Sequence, residues 1–177
     1  MRVLQGELLR PLCGSPLNEL DFLHLDRYQV ERLHGRGLAE CKRLRHLRLA
    51  RNALVGIPKG ALGTSNELWL LDFSRNCISQ IEDLSKFAAL GSVDLSHNDL
   101  SWVALRALAR THVLQLNVAG NPKLQPPANA GAGGHGSDTS TETKRATRSA
   151  VLATLPLVWV LNGEFVTAAE RKAACQE

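Results

Sequence analysis

The side chains able to do covalent or metal chemistry are few and scattered. Histidines stand at His24, His34, His46, His97, His112 and His135, and cysteines at Cys13, Cys41, Cys77 and Cys175. No two cysteines form a C-x-x-C pair and no histidines follow at zinc-finger spacing. Nucleophile-elbow, phosphate-loop, H-E-x-x-H and paired-carboxylate patterns are missing too. His24 and His46 could face each other on adjacent strands, as a metal or acid–base pair or as two solvated imidazoles. The cysteines read as buried or inert thiols, which suits a reducing compartment. The chain is therefore expected to have no catalytic residue, no metal and no cofactor, and to act by recognition rather than as an enzyme.

Bulk properties agree with that. Among 177 residues, 44% are hydrophobic and 21% charged, an ordinary globular balance, and aromatics make up only 5%. The net charge of +4 is too mild to argue by itself for a nucleic-acid partner. No window approaches the ~18 apolar residues of a membrane span. Glu7 interrupts the short apolar N-terminal run, and no small-residue cleavage site follows, so a secretory signal is not expected. The expected compartment is the cytoplasm, with nucleus and cilium as alternatives.

The leucines that carry the apolar load are periodic. Residues 44–54 read LRHLRLARNAL, 68–78 LWLLDFSRNCI, 90–100 LGSVDLSHNDL and 113–121 VLQLNVAGN. Residues 20–30, LDFLHLDRYQV, fit except that Tyr28 takes the asparagine slot. The starts at 20, 44, 68, 90 and 113 are separated by steps of 24, 24, 22 and 23. Each L-x-L centre should be a short strand with alternate side chains inward. One such strand cannot bury its apolar side alone, whereas a stack of neighbours makes a continuous core. The asparagines at 52, 76, 98 and 121 should turn the chain out of each strand and satisfy backbone groups there. After Asn76 the apolar residues Ile78, Ile81, Leu84, Phe87 and Leu90 step by three, which predicts a 3₁₀ or helical return on the convex side. The return after Asn52 holds Gly56, Pro58, Gly60 and Gly63 and should be more loop-like.

This pattern resembles the leucine-rich repeat family, L-x-x-L-x-L-x-x-N-x-L at 20–29 residues per unit. The resemblance implies an α/β fold, a right-handed solenoid of five repeats over residues 20–124. Residues 1–19, leucine-rich but off pattern, would form an N-terminal cap. Residues 155–163, LPLVWVLNG, with EFVTAAERKAA after them, resemble the C-terminal cap of intracellular leucine-rich repeat proteins, including the spliceosomal U2 A-prime protein and phosphatase regulators. In that resemblance Leu155, Val158 and Val160 take the strand slots. Thr167 would cap a helix, with Glu170 three residues on completing a capping box. The cap is placed at 148–177. Residues 125–147, rich in Gly, Ala, Pro, Ser and Thr, bury too little to repay ordering and are expected to be disordered.

Strand alternation then identifies the exposed concave face. The third position of the repeats reads Phe22, His46, Leu70, Ser92, Gln115. The fifth reads His24, Arg48, Asp72, Asp94, Asn117 and, from the cap, Trp159. The eighth reads Arg27, Arg51, Arg75, His97, Gly120. Residues 27–51 hold eight Lys/Arg against two acids, while 67–99 hold six acids against Arg75 and Lys86. Either this gradient selects a partner, with an acidic patch meeting Arg27, Arg48 and Arg51 and a basic one meeting Asp72 and Asp94, or it is a solvated mixed surface worth little. Phe22, Leu70 and Trp159 are the anchor candidates, since exposed aromatics dominate interface hot spots. The family resemblance implies a non-enzymatic adaptor, monomeric by itself, that holds a helix or peptide on this face. A ribonucleoprotein component like the U2 A-prime protein, and a regulatory subunit of a phosphatase or axonemal motor, are the alternatives. No membrane is involved.

Overall fold

The computed structural model describes residues 3–4, 9–11, 13–82, 84–124 and 139–174, of which 139–141 are described by backbone alone. The strand slots become one curved sheet. Strands β2 (Phe22–His24), β4 (His46–Arg48), β6 (Leu70–Asp72), β8 (Ser92–Asp94), β9 (Gln115–Asn117) and β10 (Val160–Leu161) lie side by side in that order, all parallel. β11 (Glu164–Phe165) closes the row antiparallel to β10. The fourth slot is in register throughout, Leu23, Leu47, Leu71, Val93, Leu116 and Leu161, and every member is buried. The first and sixth slots bury Leu44, Leu68, Leu90, Leu49, Phe73 and Leu95 on the same side. Stacking thus converts six separately unstable apolar strips into one core.

Each strand is ended by the same device. The residue at the eighth position is left-handed, with φ of 63° at Arg27, 57° at Arg51, 56° at Arg75, 54° at His97 and 71° at Gly120. The asparagine that follows then points inward. Asn76 Nδ2 donates to Phe73 O at 2.9 Å in its own repeat and to Leu49 O at 2.9 Å in the repeat before, while its Oδ1 accepts from Leu54 N at 3.0 Å. Asn52, Asn98 and Asn121 make the equivalent bonds. The first repeat has Tyr28 in this slot, and there a second left-handed residue, Gln29 at φ 57°, completes the turn.

The returns differ as their composition requires. Ile78, Ile81, Leu84, Phe87 and Leu90 are all buried. Phe87 N bonds Leu84 O and Leu90 N bonds Phe87 O, so the step of three is a run of 3₁₀-type turns. It begins with a short strand, β7 (Gln80–Ile81), that pairs with β5 (Gly56–Ile57) in the glycine-containing return. There Gly63, at φ 74°, lies so close to the preceding repeat that a Cβ would sit 2.3 Å from Leu38 O. The fourth return holds a helical turn, α1 (Trp102–Leu105), capped by the Ser101 hydroxyl.

At the N-terminal end, β1 (Val3–Leu4) pairs in parallel with β3 (Arg32–Leu33), and Leu17–Glu19 form a 3₁₀ turn. Residues 1–2, 5–8 and 12 of the segment expected to cap this end lie outside the described residues. At the C-terminal end two expectations are corrected. Helix α2 (Thr139–Thr154) begins within the stretch expected to be disordered, so residues 139–147 are ordered, and 125–138 lie outside the described residues. The run 144–155 (KRATRSAVLATL) reads as a helix leading into the cap, and the helix starts five residues earlier than that run; its last turns bury Val151 and Leu152 against the final repeat. The capping strand is 160–161, three residues later than Leu155, Val158 and Val160 suggested, because Asn162 and Gly163 (φ 54° and 84°) form a two-residue hairpin turn into β11.

The capping box forms on α3 (Ala168–Ala174): Thr167 N donates to Glu170 Oε2 at 2.8 Å, and Glu170 N donates to Thr167 Oγ1 at 3.3 Å. Arg148 of α2 locks this end. Its guanidinium donates to Glu170, to Leu161 O at 2.9 Å and to Phe165 O at 3.0 Å, so one half-buried cation ties α2, both hairpin strands and α3 together. Hydrogen bonds from Arg148, first, and from Thr167 hold the Glu170 carboxyl at a pKa of about 2, well below its ordinary 4.5.

Two outcomes follow. Asn76→Leu leaves the buried Leu54 N–H without an acceptor and takes one of two carboxamide donors from each of Leu49 O and Phe73 O, and should lower stability by roughly 1–3 kcal/mol in urea unfolding. Glu170 contributes stability that is present above pH 4.5 and lost as pH falls through about 2. The thermal midpoint of Glu170→Gln should therefore be lower near neutrality and decline less than that of the wild type across this acid range.

Candidate functional site

The concave face is built from the third and fifth strand positions, with the eighth along its edge. Register places Phe22, His46, Leu70, Ser92, Gln115 and Val160 in one column and His24, Arg48, Asp72, Asp94 and Asn117 in another. His24 therefore lies opposite Arg48 and not opposite His46. His46 instead packs edge-on against Phe22, with ring centroids 4.6 Å apart. Among the described residues no three His, Cys, Asp or Glu side chains converge as a metal-binding group. Burial pushes the Cys41 thiol up to about 11. Cys77, expected to be buried or inert, is exposed, because the residue between an inward asparagine and an inward isoleucine must point out.

The carboxylates of this face are all engaged within it. Asp26 accepts from Ala50 N at 2.8 Å and pairs with Arg48 at 3.2 Å. Asp72 accepts from the Ser74 backbone and hydroxyl at 3.0 and 2.8 Å and pairs with the same Arg48 at 3.4 Å. Asp94 accepts from Ser96 N at 2.9 Å and Asn117 Nδ2 at 3.0 Å. Arg48 is thus a bridge between two carboxylates rather than an unpaired cation. Arg27, Arg51 and Arg75 are exposed, and no hydrogen bond or ion pair reaches their guanidinium groups from the described residues. A shallow groove of about 280 Å³ runs over Leu70, Asp72, Ser92, Asp94, Gln115 and Asn117. A larger cavity of about 570 Å³ lies away from this face, between the last repeat and α2, where Val118, Leu124, Val151 and Leu161 line it.

Two aromatic positions differ from expectation. The three-residue shift of the capping strand takes Trp159 out of the fifth column. Trp159 N and Val160 N both donate to Leu114 O, as Trp69 N and Leu70 N both donate to Arg45 O. Trp159 therefore stands in the second column, on the rim where chains enter the sheet, 59% exposed and with the Arg171 guanidinium 4.7 Å above its ring. Leu114 and Trp69 precede it in that column, and the Trp69 indole covers Gly91, where a Cβ would lie 2.3 Å from it. Conversely, Phe165, which its sequence context does not single out, is 80% exposed. It lies directly opposite Val160 and so extends the third column of the concave face. The Asn162–Gly163 pair between apolar residues was the signal for that hairpin.

With this geometry in hand, the comparisons agree. Residues 42–100 match the leucine rich repeat family model. A chain in the crystal structure of the Drosophila melanogaster SNF/U2A' complex superposes with a TM-score of 0.73 at 20% identity, covering 99% of this chain and 92% of that one. No curated protein sequence matches the chain. Residues 42–100 thus carry leucine-rich repeats, and the chain shares its solenoid fold with a chain of that complex. No described helix is long and apolar enough to cross a membrane.

Proposed function

We propose that this protein is a non-enzymatic adaptor that binds a protein partner on its concave face. The observation that carries the reading is the third column itself. Six parallel strands and β11 display an open surface about 29 Å long. Along it Phe22 and Phe165 are exposed at the two ends, and Leu70 and Val160 are half-exposed between them. Monomers seldom leave such residues aligned on one rigid sheet without a use for them. The face suits a helix or an extended segment. Phe22 and Leu70 serve as apolar anchors, with Phe165 added to them. His24, His46 and Arg48 surround them, and Arg27, Arg51, Arg75, Asp72 and Asp94 set charge preference. Trp159 contributes from the rim.

A second reading is a ribonucleoprotein component. It rests on the fold shared with a chain of the SNF/U2A' complex and on the eight cations of residues 27–51. It requires RNA affinity that falls steeply with salt.

The test is affinity capture with quantitative mass spectrometry, wild type against Phe22→Ser/Leu70→Asp, with thermal melts showing both folded. Partners bound on the concave face should drop at least about tenfold with the variant, as expected for losing hot-spot anchors. Equal recovery by the two proteins would remove the concave-face reading.

A further inference from the structure

We propose that Arg27, Arg51 and Arg75 form a reader for an amphipathic helix with one acidic residue per turn. The inference deepens, and rests on, the reading of the concave side as the binding face. The three arginines occupy the same position of successive repeats. They therefore stand in line along the solenoid axis, one per strand, at about 4.8 Å spacing. They are exposed, and among the described residues nothing pairs with their guanidinium groups. The aspartates of the neighbouring strand ends are already engaged: Asp26 by Ala50 N and Arg48, Asp72 by Ser74 and Arg48, Asp94 by Ser96 N and Asn117. Asp72 and Asp94 are thus spent inside the fold, and the edge that carries the three arginines is positive.

The fold itself does not ask for arginine there. All three sit at φ of 56–63°, where glycine is the least strained residue, and the fifth repeat does use Gly120. Stacking like charges at this spacing also opposes folding. A row of unpaired guanidiniums in a conformation disfavoured for them is explained by a ligand that supplies the missing anions.

Spacing selects the ligand's conformation. Carboxylates at i, i+4 and i+7 of an α-helix advance about 10.5 Å over two steps, against about 9.6 Å for two steps of the ladder. An extended strand advances about 6.6 Å between same-side residues, about 13.2 Å over two steps, and falls out of step by the third arginine. A helix lying along the ladder turns its adjoining face toward Leu70 and Phe22, so an apolar stripe beside the acidic one completes the match.

The probe is a displayed library of 18-residue helical peptides. Leucines are fixed along one face, and Glu, Lys or Ser are allowed at the flanking positions. Selection runs against the full chain, against Arg27→Gly/Arg51→Gly/Arg75→Gly, against Arg51→Glu alone, and against Leu70→Asp. Glycine at these positions removes charge without straining the turn. Peptides selected on wild type should carry Glu at i, i+4 and i+7 and should bind the triple-glycine variant about tenfold more weakly, the combined worth of three exposed ion pairs. Arg51→Glu should replace the central Glu by Lys. Winners that show no acidic preference but still lose binding with Leu70→Asp would overturn the ladder and leave the concave face standing. Winners indifferent to both sets of variants, or no winners on wild type, would overturn both. Tight binding of a 20-nucleotide uridine RNA that vanishes with the triple-glycine variant would overturn the helix in favour of a nucleic-acid backbone.

Discussion

The asparagine ladder is the constraint on which the rest of the structure depends. A strand of three residues has little to hold it, and the chain must leave it abruptly to return along the convex side. That exit exposes backbone groups inside the stack, where water cannot reach them. One carboxamide per repeat supplies two donors and an acceptor at that point, bonding its own turn and the turn below. The bonds between repeats fix register as well as stability, since a slipped repeat would leave both partners unpaired. Register in turn is what makes columns: without it there would be no continuous core on one side and no ordered face on the other.

The repeat body was legible in the sequence because two physical periods coincide there. Alternation over L-x-L sorts side chains by face, and the recurrence of asparagine at steps of 22–24 sets the stacking. The third, fifth and eighth columns over residues 22–120 are in register as the spacing required. The cap was less legible because its asparagine does a different job. Asn162 stands in a hairpin, not in the ladder, and its Oδ1 accepts from Val118 N instead of from an eleventh-position amide. Reading Leu155, Val158 and Val160 as strand slots gave an acceptable apolar pattern, but Leu155 belongs to the end of α2 and Leu161 fills the core slot. For that reason Trp159 lies on the rim and not in the fifth column, and Phe165, opposite Val160, extends the third.

Arg148 could not have been singled out from its neighbours, since residues 144–148 read KRATR and nothing local marks one cation as half-buried. Its role arises from position. The last turns of α2 lie against the final repeat, and the hairpin beyond them ends a sheet whose outer edge has no further repeat to pair with. A terminal repeat must be closed by something other than another copy of itself. Here a single guanidinium supplies donors to two strand carbonyls and to the capping-box glutamate at once. Losing this half-buried cation takes a partner from several groups at once, so the cap should open as a unit rather than fray.

The charges of the binding face show why composition is a poor guide to electrostatics. By sequence the basic first half and the acidic middle look like two ends of a dipole. In the folded chain the acids near the face do internal work. Asp26, Asp72 and Asp94 each brace the backbone just beyond a strand, and two of them share Arg48. The eighth-position arginines cannot fold inward to meet them. The same left-handed residue that lets the next asparagine enter the core must turn its own side chain outward. One backbone requirement therefore fills the interior with carboxamides and lines the edge with guanidiniums. The surface a partner meets is set by the geometry of the turn, and only secondarily by how many charges of each sign the chain contains.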